Sequence, residues 1–75
     1  MIHVFKENSP SLEEAQNLVG GFVQMVKSPI NKSWQILVNE EGLLLGLPMN
    51  DEATALVGTG IVGDAVVLKG KARWA

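Results

Sequence analysis

One stretch, Ser9–Gly21 with the sequence SPSLEEAQNLVGG, constrains this chain more than any other, because it spells out both ends of a helix. Ser9 or Ser11 can cap the start. Ser11 with Glu14 fits a capping box, in which each side chain accepts a hydrogen bond from the other residue's free backbone N–H. Pro10 suits the first helical turn. Leu12, Ala15 and Val19 recur at i, i+3 and i+7, with Leu18 beside them, so one face is apolar. Gly20-Gly21 stops the helix, since glycine enters the left-handed cap conformation without a Cβ clash.

Short apolar runs flank this helix. Ile2–Phe5 is partly β-branched and reads as a first strand, and Phe22–Val26 reads as a second. KSPINKS is polar, with Pro29 and Asn31, and fits a hairpin loop. Trp34–Val38 is the expected third strand, with Trp34, Ile36 and Val38 facing one way and Gln35, Leu37 and Asn39 the other. NEEG is a tight turn in which Gly42 is expected at positive φ. LLLGLPMN is read as a short extended segment that ends in an irregular loop. Asn50 can cap a second helix, Asp51 to Val57, with Asp51 and Glu52 in its first turn, where negative charge meets the positive end of the helix dipole. Ala53, Leu56 and Val57 form its expected buried face. GTGIVGD is a glycine-punctuated loop, and Ala65–Lys69 is the last strand.

The order is therefore β-α-β-β-α-β. Crossovers through helices make parallel strand pairs, and the hairpin makes an antiparallel one. Two helices on one face of a four-stranded sheet give an α+β two-layer sandwich, most simply ferredoxin-like. One segment resists this expectation. That topology puts the last strand at an edge, whereas AVVL reads as buried on both faces. Either the sheet order differs or a second subunit covers the edge.

The 75 residues are expected to form a single domain, 1–75. A chain this short buries only about 60–65% of the surface it exposes unfolded, and below about 80 residues a further staple is common. The absence of cysteine excludes disulfides and Cys-rich zinc sites, and one histidine excludes a multi-His site within one chain. Self-association is the staple left, so a homodimer is expected. The charged fraction of 19% supports it, since soluble domains average roughly 25%. A net charge of -2 lacks the basic excess of a non-specific nucleic-acid binder. No apolar run approaches the ~18 residues of a spanning helix, so no membrane segment is expected. MIHVFKENSP lacks the basic start and long apolar run of a signal peptide. With cysteine missing too, the expected compartment is the cytoplasm. No cofactor is expected.

Each candidate for chemistry has a plainer role beside it. Glu40 and Glu41 diverge into water if they sit on a turn, and Asp51 and Glu52 already serve a helix start. His3 in the first strand could act as a general base, but no serine or cysteine stands in a nucleophile-like context. Gly58, Gly60 and Gly63 have G-x-G-x-x-G spacing. A dinucleotide fingerprint must follow a strand and open a helix, and here the order is reversed. The glycines then permit a tight turn, with Asp64 bonding local N–H groups. Lys69, Lys71 and Arg73 beside Trp74 form the one basic cluster and could contact phosphate and a base. The commoner use is a tail whose tryptophan covers apolar surface in this chain or a partner.

Between Val38 and Val67 stand Glu40-Glu41-Gly42-Leu43-Leu44, Gly46-Leu47-Pro48, Asn50, Ala53, Ala55-Leu56 and Ile61-Val62-Gly63-Asp64-Ala65. In these residues the chain resembles a small family of domains of unknown function from bacteriophages, bacteria and marine environmental sequences. The resemblance implies a phage or microbial accessory protein and no particular activity. Its signature residues are mostly glycines, a proline, small apolar residues and caps, which specify backbone geometry more readily than chemistry.

The expected function is a non-enzymatic interaction module, with edge-strand pairing or the surfaces of Trp34 and Trp74 as contact region. Two rivals stand beside it. One is a nucleic-acid-associated protein using Lys69, Lys71 and Arg73. The other is a metal-dependent hydrolase using Glu40, Glu41 or Asp64 with a divalent ion.

Overall fold

The computed structural model describes all of residues 1–75. The elements run β1 (Ile2–Phe5), α1 (Leu12–Val19), β2 (Val23–Lys27), β3 (Gln35–Asn39), α2 (Asp51–Val57) and β4 (Ala65–Leu68), followed by a 3-10 turn at Gly70–Ala72. The element order agrees with that expected from the sequence. β2 and β3 each begin one residue later than expected.

The helix ends form as their residues dictate. Ser11 Oγ accepts from the Glu14 N–H at 3.0 Å, and the Glu14 carboxylate accepts from the Ser11 N–H at 3.4 Å. Gly20 and Gly58 close α1 and α2 in the left-handed conformation, with φ of 82° and 87°. Asn50 does more than cap α2. Its Oδ1 accepts from the Ala53 N–H at 3.0 Å. Its Nδ2 donates to the carbonyls of Met1 and Gly63, at 3.1 and 2.8 Å. One buried side chain thus joins the start of α2, the entry to β1 and the loop before β4.

The sheet order is β1-β4-β3-β2, which corrects the ferredoxin-like expectation. β4 pairs in parallel with β1 and antiparallel with β3, and β2 pairs antiparallel with β3. The last strand is therefore internal. The two-layer expectation is corrected as well, because the helices pack on opposite faces. Ala15 and Val19 of α1 lie against Leu37, Val66 and Leu68. Ala53 of α2 lies against Ile36, Val38, Ala65 and Val67. The reason is the double-sided apolar character of β4. A strand with apolar residues on both faces needs cover on both, and each fully buried Val or Leu contributes about 1.5–3 kcal/mol relative to exposure. Leu56 and Val57 pack partly buried beside Ala53, as expected. Leu12 departs from expectation and stays exposed at the start of α1.

The register separates the sheet into two ends. Phe5, Leu68, Gln35 and Lys27 mark one, and Ile2, Ala65 and Asn39 mark the other. At the Lys27 end, buried Ser28 donates to the Leu56 carbonyl at 2.6 Å and accepts from the Ile30 N–H at 3.1 Å. That ties the hairpin loop to the end of α2. No helix of the chain is long and apolar enough to cross a membrane.

Candidate functional site

Asn39 ends β3 and organises the turn after it. Its side chain is buried, with Nδ2 donating to the Val19 carbonyl at 3.1 Å and Oδ1 accepting from the Glu41 N–H at 2.8 Å. The Val19 carbonyl belongs to the last turn of α1, where carbonyls lack helical partners. A single amide therefore anchors the next segment to the helix end.

That segment, Glu40–Gly46, is a run of turn rather than the extended stretch expected for its leucines. Three backbone hydrogen bonds close it. The Leu45 N–H donates to the Glu41 carbonyl at 3.0 Å, Gly46 to Leu43 at 3.2 Å, and Leu47 to Gly42 at 3.1 Å. Gly42 does not take the positive φ expected of it. Its requirement is steric, since a Cβ there would lie 2.8 Å from Val62 Cγ2. With the turn pressed against Val62 and its backbone bonded internally, the leucine side chains project outward. Leu43, Leu44 and Leu45 are 81%, 85% and 59% exposed.

A groove of about 480 Å³ runs between this turn and Thr59–Val62, lined also by Gln24, Val26 and Val38. On the turn's other flank, Leu45 and exposed Phe22 line a second hollow of about 400 Å³, with Gly20, Gly21 and Glu41. Glu40 and Glu41 line the first groove and lie exposed beside the leucines. Apolar groups flanked by acids can bind an apolar surface that carries cations.

The other candidates lie elsewhere. Asp51 and Glu52 occupy the first turn of α2. Asp64 does not bond the local N–H groups expected of it. It pairs across to His3, with Nε2 and Oδ2 3.0 Å apart, and lies 3.5 Å from the Met1 amino group. The hydrogen bond to His3 holds the Asp64 carboxyl below its ordinary value, opposed by partial desolvation and aided by the amino-terminal charge. No three His, Asp or Glu side chains converge as a metal-ligating group. Gly58, Gly60 and Gly63 lie on the return from α2, where Met49 and Val62 form an isolated antiparallel bridge.

At the opposite end of the sheet, Trp34 packs partly buried on the α2-side core, with Lys69 Nζ 4.1 Å from its ring centre. Trp74 packs on the α1-side core. Gln35 clips its backbone, accepting from the Trp74 N–H at 2.6 Å and donating to its carbonyl at 2.8 Å. The indole N–H donates to the Pro10 carbonyl at 3.0 Å. Lys71 and Arg73 are exposed beside it.

Sequence reasoning does not single out Asn39, Gln35 or the outward leucines. Asn39 has a usable signal, because an asparagine two residues before a turn N–H commonly bonds it. No curated protein and no solved structure matches the chain. The family model of a domain of unknown function, DUF3846, matches residues 2–73, so it covers both the leucine turn and the basic tail, and the chain belongs to that family.

Proposed function

We propose that this chain is a non-enzymatic accessory module that self-associates, with the Leu43–Leu45 turn as its contact surface. The observation that carries the reading is three adjacent leucines, each more than half exposed, on a turn held by three backbone hydrogen bonds. Single exposed apolar residues are ordinary, whereas adjoining ones beside a groove mark contact sites. Trp34 and Trp74 fit this role less well, because both rings largely cover the chain's own cores. The metal-dependent hydrolase rival, using Glu40, Glu41 or Asp64, draws less support from the geometry, since Asp64 is engaged with His3 and the Met1 amino group and no group of three His, Asp or Glu side chains forms. The likeness of Val38–Val67 to phage and microbial sequences supports placing the module in a microbial cytoplasm, including that of an infected cell.

Sedimentation velocity across the micromolar range tests the reading. The wild-type chain is expected to associate as concentration rises. The double variant Leu43→Lys, Leu44→Lys is expected to stay monomeric with an unchanged circular dichroism spectrum. A wild-type chain that remains monomeric throughout overturns the proposal.

A further inference from the structure

The strand register sorts the charges of this molecule. All six Lys and Arg residues lie at the Phe5–Leu68–Gln35–Lys27 end of the sheet. Lys6 follows β1, Lys27 ends β2, Lys32 precedes β3, and Lys69, Lys71 and Arg73 follow β4. Five carboxylates, Glu40, Glu41, Asp51, Glu52 and Asp64, cluster at the other end, together with the leucine turn. The remaining three, Glu7, Glu13 and Glu14, lie after β1 and in the first turn of α1, near Lys6, Lys71 and Arg73. None of the six cations forms a salt bridge within the chain, and the ion pairs present involve only Asp64.

The basic end also has a receiving shape on its α2 side. A hollow of about 520 Å³ is lined by Lys27, Ser28, Pro29, Lys32 and Val57, with no carboxylate among them. Ile30 beside it is 63% exposed. One end of the molecule thus offers outward leucines flanked by Glu40 and Glu41. The other offers a hollow in which Pro29 and Val57 supply the apolar surface and Lys27 and Lys32 are two lysines without a salt bridge.

We infer that the occupant of the Lys27–Lys32 hollow is the leucine turn of a second copy, so that copies join head to tail. This rests on the leucine turn being the contact surface, and it adds which surface that turn meets. Charge complementarity favours this pairing over a twofold dimer through the turn. Turn against turn would bring Glu40 and Glu41 of both copies together, and like charges facing each other disfavour binding. A head-to-tail contact uses two different patches and therefore leaves a free end on every assembly unless the rotation closes a ring.

The experiment uses two charge-reversed chains, K27E/K32E and E40K/E41K. All four positions are exposed, so each variant is expected to fold, which a thermal melt checks. Each variant alone is expected to associate at least about tenfold more weakly than wild type. An equimolar mixture is expected to regain association, because each partner keeps one native face. Wild-type assemblies are expected to grow past two copies and to weaken as salt rises. A wild-type chain that stops at a closed dimer, lost in L43K/L44K and unchanged in K27E/K32E, overturns the head-to-tail pairing and leaves the leucine contact standing. A monomeric wild-type chain overturns both. If that monomer binds a single-stranded oligonucleotide with a steep salt dependence that K27E/K32E removes, the cations serve a phosphate backbone instead.

Discussion

Two apolar runs of similar chemistry meet opposite fates in this chain. Ala65–Leu68 is at most 1% exposed, whereas Leu43–Leu45 is mostly in water. Hydrophobicity does not separate them; their place in the fold does. β4 has strand neighbours on both sides and a helix on each face. The Glu40–Gly46 turn meets the β2 side through the Glu40 N–H, which donates to the Phe22 carbonyl at 2.8 Å, while the Gly42, Leu45 and Gly46 N–H groups bond to residues within or next to the turn. Leu43–Leu45 lack both the strand neighbours and the helix cover that enclose Ala65–Leu68.

The strongest way to break this comparison is Leu68→Ala. Leu68 is fully buried under α1, so its truncation is expected to cost about 2–5 kcal/mol by loss of burial and a residual cavity. Urea unfolding checks this, and a loss below about 1 kcal/mol, the value for one methylene, contradicts the packing described. Gly42→Ala comes next. The added methyl must displace Val62 or shift the turn, with an expected cost of about 1–3 kcal/mol. Amide exchange at Leu45 and Leu47 is expected to accelerate in this variant, since those N–H groups bond across the turn. The smallest effect belongs to Leu44→Ala, expected within about 0.5 kcal/mol of wild type. A large stability loss there means the leucine is buried in the chain's own fold, and the contrast with β4 disappears.

What is legible in the sequence is local. Ser11, Glu14, Gly20, Asn50 and Gly58 act within one turn of their own positions, so both helices can be read from the chain alone. The alternation of Trp34, Ile36 and Val38 against Leu37 also holds, because side-chain direction in a strand has a fixed period of two. The sheet order is not legible, since it depends on which distant strand β4 meets. AVVL carries the warning, being apolar on both faces. Strand ends slip by one residue because pairing, not composition, sets them. At the candidate site, the adjoining leucines are visible but their direction is not. It depends on the contact between Gly42 and Val62, 20 positions apart in the chain (62 − 42), and on the reach of Asn39 back to Val19.

The pairing of Ile2 with Ala65 has a kinetic consequence. β4 is the sole strand neighbour of β1, so during synthesis the first strand waits, unpaired, until about 60 further residues have emerged. Closing so large a loop is entropically unfavourable and slows folding relative to local contacts. The α1, β2 and β3 segments can assemble on their own side while the newborn strand is still searching, and sheet completion becomes an event of the fully emerged domain rather than of the growing one.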